Sequence, residues 1–351
     1  MSKGVRARRG WYRWPTPGCQ HRGPSTAGIR VTFPGVSVPP CRICGNATGN
    51  RIRRVREMRF GTRETFAYVE CAVCGCLQIA ADPLELGRHR PDAPLPAAPR
   101  EGPSGLVGAA RRARSHVLYG TVGRKGGMPW VVPRYHPWIQ GAGAGLDSAI
   151  ADVGRGTGQL LRELRADGFR DLTGIDPDLA QEVDEPGFRL RRGELADLEG
   201  PFDLVMLHHS LARMADQLHA LRELARVIGP AGVALVRIPV ADSWAWRQFG
   251  TDWVQVDAPR NLYLHTRRSL EHAARAAGLR ITSVRHDSGA EQFWGSELYR
   301  RDLPLVDPAT SRPLEPAAHF TRLDLLRYRI RARRLNASGE GDQACFFLRR
   351  A

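Results

Sequence analysis

Lysine is nearly missing from this sequence: Lys3 and Lys125 are the only two among 52 basic residues. Positive charge is therefore almost all arginine, a bias that coding composition explains as readily as a ligand does. No run of about 18 apolar residues occurs, which excludes an ordinary membrane-spanning helix. No apolar stretch follows the basic N-terminus, which argues against a secretory signal and makes a cytoplasmic protein the expectation. Acid is scarce at the front: residues 1–60 hold 13 Arg and Lys against Glu57 alone, whereas residues 151–351 hold 29 Arg against 28 acids. A basic arm can hold phosphates; a solvated tail reads the same way.

What is present divides the chain. Residues 1–40, rich in Arg, Gly and Pro, have no periodicity and read as a disordered arm. Residues 41–80 hold five of the seven cysteines. Residues 81–105 form a Pro-rich linker, and 106–148 a lead-in whose RRARSHVLYG is compatible with a helix. From residue 149 short apolar strands alternate with amphipathic helices, which argues for a parallel sheet covered on both faces. The strands expected are 149–153, 171–176, 188–192, 202–208, 233–239, 280–284 and 344–350. Leu218, Leu221, Leu224 and Ile228 make one helical stripe stopped by Gly229-Pro230, and Thr266 can cap a further helix. In FTRLDLLRYRIRARRL (320–335), Phe320, Leu323, Leu326 and Ile330 stand at core spacing, with the arginines as the solvated face or an RNA contact.

Cys41-Arg-Ile-Cys44 and Cys71-Ala-Val-Cys74 repeat CxxC, and four thiolates at these spacings match a tetrahedral zinc site. The stretch between them can form a hairpin, giving a zinc-ribbon-like module that the metal would help to fold. An iron–sulfur cluster is the other thiolate option. Cys76 has no matching partner, and Cys345 reads as a core residue.

DVGRGTG (152–158) places Gly154, Gly156 and Gly158 between a strand and a helix, where bare backbone approaches a ligand. The GxGxxG spacing of dinucleotide sites fails at Gln159, while Asp152 stands ready to orient the loop or reach an ammonium group. Asp176, closing the second strand in GIDPD, can accept both hydroxyl protons of a ribose, or cap the turn before Pro177.

DVGRGTG, GIDPD, FDLVMLHHSL and LRELARVIGPAGVALVRIP together resemble the class I S-adenosylmethionine-dependent methyltransferases, over roughly residues 145–286 with 344–350 as final strand. The closest similarity is to the branch with an N-terminal cysteine module. The resemblance implies a Rossmann-like seven-stranded sheet with its last strand antiparallel, over a domain spanning 149–351. It implies that Asp152, Gly154, Gly156 and Gly158 cradle the methionine part of the cofactor, that Asp176 holds the ribose, and that Glu194 and Leu195 lie near the adenine. His208 and His209 would face cofactor and acceptor. The chain departs from that pattern at Arg155, where relatives carry a small residue, at Ala212-Arg213, where many carry Glu-His, and at Asn261, where they carry His.

A sulfonium methyl needs mainly alignment and exclusion of water, with a base for hydroxyl, C–H or ammonium acceptors. His209 is the first candidate base, with His208, His265, Tyr263 and Asp257 in reserve. Trp244, Trp246, Phe249 and Trp253 could line an acceptor pocket or pack as a lid. The expected function is methylation of a small or carrier-bound acceptor (a sugar, glycan or secondary metabolite) at an oxygen or carbon nucleophile. The alternatives are an RNA or tRNA methyltransferase gripping phosphates with the zinc module and arm, and an inactive binding protein of this fold.

Overall fold

A computed structural model describes residues 38–81, 105–119, 132–154 and 157–351. The basic arm and the Pro-rich linker thus fall almost wholly outside the described residues, as do Arg155 and Gly156.

In chain order the first elements are strands β1 (Arg51–Arg56), β2 (Thr65–Glu70) and β3 (Leu77–Ile79), then helices α1 (Gly105–Tyr119) and α2 (His136–Ala142). There follow β4 (Ala149–Val153), α3 (Gln159–Ala166), β5 (Asp171–Ile175), β6 (Val183–Glu185), β7 (Phe188–Arg191), β8 (Phe202–His208), α4 (Gln217–Val227) and β9 (Ile228–Pro239). The chain ends with α5 (Trp244–Phe249), β10 (Tyr263–Leu264), α6 (Arg267–Ala276), β11 (Leu279–His286), α7 (Glu291–Arg300), α8 (Arg322–Ala337) and β12 (Gln343–Arg350).

The larger sheet runs β11-β12-β9-β8-β4-β5-β7-β6. β4, β5, β7, β8 and β9 are parallel, and β12 lies antiparallel between β9 and β11. This is the expected seven-stranded arrangement with one addition, the short edge strand β6, which turns through Pro186-Gly187 to pair antiparallel with β7. Strand alternation separates the two faces. Val205 and Leu207 of β8 meet Leu221 and Leu224 of α4 and Leu270 and Ala273 of α6. Leu204 and Met206 meet Ile139 of α2 and Leu161 and Leu164 of α3 on the other side. Helices therefore cover both faces, as parallel strands buried on both sides require.

α1 is fastened to this second face by charge. Asp167, fully buried after α3, accepts from Arg111 at 2.6 and 3.0 Å, from Arg114 at 3.1 Å and from the Tyr135 hydroxyl. A buried carboxylate needs such partners.

The strands of the cysteine module form their own sheet with β10, in the order β1-β2-β3-β10, so the last strand is supplied by residues that follow α5. Trp253, Val256 and Leu264 share one core with Tyr68, Cys76 and Leu77. The tryptophan cluster is the filling of this joint: Trp253 is fully buried with its indole N–H on Asp342 at 2.9 Å, and Trp246 donates to Glu70 at 3.3 Å.

One expected face is corrected. Leu323, Leu326 and Ile330 of α8 are exposed, by 54%, 50% and 43%, and the helix turns Tyr328, Ala332 and Leu335 inward onto Phe293. The spacing of the first set is helical, but that of the second is as well. Arg331, stacked over Trp244 at 4.1 Å, fixes the rotation. No helix among the described residues is long and apolar enough to cross a membrane.

Candidate functional site

At the carboxyl ends of β4, β5 and β7 lies a cleft lined by Asp152, Gly158, Ile175, Asp176, Leu179 and Leu190 among others. The parallel register sets Val153 beside Ile175, and the Gly154 N–H donates to the Ile175 carbonyl at 2.9 Å. The glycine turn and Asp176 therefore start abreast, from adjacent strand ends. Ligands of open α/β sheets bind in this position.

Gly154 has φ +77°, and a Cβ there would lie 2.6 Å from the Ser210 hydroxyl oxygen. That hydroxyl donates to the Val153 carbonyl at 2.5 Å, tying the end of β8 to the turn. Gly158 has φ +65°, and its Cβ would press on Leu190 at 2.8 Å. Asp152 is buried in β4 behind the turn. The Asp178 N–H donates to Asp176 Oδ1 at 2.7 Å, so this carboxylate caps its turn while also lining the cleft. Glu194 caps the short turn Leu195–Asp197, and Leu195 is buried in the core under the sheet.

The two histidines at the end of β8 diverge. His208 is buried against Trp138 of α2, ring centroids 4.3 Å apart. His209 has φ +61°, which turns it away from the strand, and its Nε2 accepts from the Arg237 guanidinium at 2.8 Å. Because a guanidinium only donates, that imidazole is neutral at Nε2 and carries its proton on Nδ1. Arg237 in turn donates to Asp287 at 2.6 Å and stacks over Trp138 at 5.4 Å. Gln343 and Cys345 complete the shell around Asp287.

The other sequence candidates lie at the joint with the cysteine module. His265 is fully buried between Ser269 and Gln217, 2.9 Å from each, and burial pushes it down to about 4. Tyr263 stacks on His265, and its hydroxyl donates to the Ala215 carbonyl at 3.1 Å. Asp257 is held by Arg260, which also binds Glu57, all three under a tenth exposed. Arg213 reaches Asp257 Oδ2 at 3.6 Å, and Asn261 follows on the same turn. Sequence reasoning missed Arg237, Asp287, Arg260 and Arg59, because Arg237 with Asp287, Arg260 with Glu57 and Arg59 with Asp257 are pairs many residues apart.

The four thiols of Cys41, Cys44, Cys71 and Cys74 lie within 4.8 Å of one another. The Cys41–Cys74 and Cys44–Cys71 sulfurs are 3.6 Å apart, near the roughly 3.8 Å edge of a tetrahedron with 2.3 Å zinc–sulfur bonds. Each pair sits on a tight turn closed by a glycine of positive φ: the Gly45 N–H bonds the Cys41 carbonyl and the Gly75 N–H the Cys71 carbonyl. The glycine after each CxxC was the unread signal. Cys76 lies outside the cluster, its thiol on the Leu77 carbonyl.

Residues 138–284 match the family model described as a methyltransferase domain. No curated protein sequence matches the chain. Among solved structures, an S-adenosylmethionine-dependent methyltransferase of Mesorhizobium loti is 17% identical, covering 62% of this chain and 97% of its own, with a TM-score of 0.40. One from Thermotoga maritima is 16% identical, covering 58% and 83%, with a TM-score of 0.38. A Haloferax volcanii complex of the Trm112 methyltransferase activator with a methyltransferase gives 20% identity, 58% and 82% coverage, and a TM-score of 0.39.

Proposed function

We propose that this chain, a class I S-adenosylmethionine-dependent methyltransferase by its domain over residues 138–284, methylates a small or carrier-bound acceptor at an oxygen or carbon nucleophile. The observation that carries the reading is that the glycine turn and Asp176 start from adjacent parallel strand ends, with Gly158 and Asp176 lining one cleft. A collision awaits any side chain at Gly154, so the backbone there stays bare.

When bound, the cofactor supplies a methyl group on an activated sulfonium. In this reading Asp152 and the turn from Gly154 through Gly156 to Gly158 hold its methionine part, and Asp176 takes the ribose hydroxyls. Glu194 and Leu195 border the adenine side, Leu195 as part of the buried floor. His209 faces the acceptor as a neutral, oriented imidazole. With Nε2 held by Arg237, its protonated Nδ1 is a hydrogen-bond donor, and it acts as a base only if Arg237 releases it. Alignment of the nucleophile and exclusion of water then carry most of the rate. His265 and Tyr263 serve the joint, not the reacting atoms, because both ring nitrogens of His265 and the Tyr263 hydroxyl are engaged there.

The cysteine cluster in this reading holds one zinc ion, fully ligated by Cys41, Cys44, Cys71 and Cys74 and structural in role. It bears on the cleft through the chain. The Thr266 hydroxyl donates to the Cys74 carbonyl at 2.5 Å, the Leu262 N–H to the Ala212 carbonyl at 2.8 Å, and the Gln217 amide to the Leu211 carbonyl at 2.8 Å. The test is incubation of the full chain with methyl-labelled cofactor and fractionated extract: a labelled small molecule supports the reading, and label only in RNA, or none, overturns it.

A further inference from the structure

Asp257 is an aspartate held in the left-handed region, φ +43° and ψ +47°, a conformation that costs free energy and persists where surrounding structure enforces it. The enforcement is visible. Arg260 donates to Asp257 Oδ1 at 2.7 and 2.9 Å and to Glu57 at 2.8 Å. These three buried groups sum to one negative charge. The second carboxylate oxygen is approached from two distant parts of the chain, by Arg59 at 3.8 Å and by Arg213 at 3.6 Å. Those are ion-pair separations, too long for hydrogen bonds.

Three guanidinium groups, those of Arg59, Arg213 and Arg260, thus converge on this one carboxylate. The Arg59 guanidinium, 42% exposed, makes that ion pair and donates no hydrogen bond among the described residues. The Tyr299 hydroxyl is buried and has no hydrogen-bond partner among the described residues. It lies in the same neighbourhood: Tyr299 shares one core with Met58, Val256 and Ala258, the chain neighbours of Arg59 and Asp257. A buried hydroxyl with nothing to donate to is uncommon and calls for a partner.

We propose that Arg59, Arg213 and Tyr299, gathered around Asp257, form an anion subsite for the methyl acceptor, which therefore carries a carboxylate or phosphate. Guanidinium forks and a phenol hydroxyl match the oxygens of such a group. The subsite adjoins the cleft through the chain: Arg213 ends a single tight turn that starts at Ser210, and Ser210 touches the glycine turn. The identity of the ligand as the acceptor rests on the methyltransferase reading; the anion subsite itself does not.

The experiment is calorimetric titration of the full, metal-replete chain at low salt with pyrophosphate, with citrate, and with methyl glucoside as neutral control, each repeated with S-adenosylmethionine. Saturable binding of pyrophosphate or citrate but not the glucoside is expected. Arg59→Gln should weaken it at least tenfold and Tyr299→Phe severalfold, with Arg59→Lys recovering part and cofactor affinity unchanged in each. Circular dichroism confirms that the variants are folded. Equal anion binding by wild type and Arg59→Gln overturns the subsite, as does an anion-blind protein that still binds S-adenosylmethionine; either result leaves the methyltransferase reading standing. Anion binding through Arg59 by a protein that ignores the cofactor supports the subsite and overturns the acceptor assignment.

Discussion

The Arg237 guanidinium donates to His209 Nε2 at 2.8 Å while its other edge is fixed by Asp287 at 2.6 Å. A strand-end histidine and a neighbouring-strand arginine thus act as one unit. His209→Ala and Arg237→Met should each lower kcat by about 10- to 100-fold, and the double variant should lower it little further. Cofactor affinity should stay within about threefold. Single-variant losses that multiply would mean the two residues work separately.

Gly154 tests the turn. Gly154→Ala places a Cβ against Ser210 at a positive φ, which should destabilise the protein by about 1–3 kcal/mol and weaken cofactor binding tenfold or more. Adding Ser210→Gly should recover part of both losses, read by denaturant unfolding and calorimetry.

The sheet was largely legible in the sequence because parallel strands buried on both faces leave continuous apolar runs: FDLVMLH is β8 to the residue. The edge strand β6 was not, since Val183–Glu185 has one apolar residue among three and its strand pairing is made by the backbone. The CxxC pairs announced their cluster by spacing alone. The face of α8 was misread because two apolar stripes of equal period compete on that helix, and tertiary stacking on Trp244 chooses between them. Pairings such as Arg237 with Asp287, or Arg260 with Glu57, leave no local trace, because folding, not spacing, brings them together.

Arg260 joins the cysteine module to the 257–262 turn. Replacing it with Leu strands Glu57 and Asp257, both buried, and should cost about 3–5 kcal/mol in chemical denaturation. A loss below about 1 kcal/mol would show that water replaces the guanidinium.

Asp342 is a buried carboxyl that burial raises to about 6, against the indole N–H of Trp253. An acid raised on folding penalises the native state above its folded pKa, and the penalty disappears as pH falls toward the unfolded value. Asp342→Asn should therefore stabilise the protein at pH 7.5, by up to about 3 kcal/mol. That gain should shrink between pH 6 and 4. Taking the difference between variant and wild type cancels the opposite contribution of His265, whose lowered value of about 4 withdraws stability as pH falls below 6.5.

The cysteine cluster predicts one equivalent of zinc in the purified chain and its loss in Cys44→Ser. Removing the metal by chelation should lower the melting temperature and loosen hydrogen exchange over residues 211–217, which are tied toward the module through Leu262 and through the Gln217–His265 contact. Unchanged exchange there would separate the module from the cleft.

Most direct of all is calorimetric titration of the full chain with S-adenosylmethionine, in wild type and Asp176→Ala. The account predicts one equivalent bound by the wild type and an affinity at least tenfold lower in the variant. No heat from a folded, metal-replete wild type, or equal affinity in both, would contradict it.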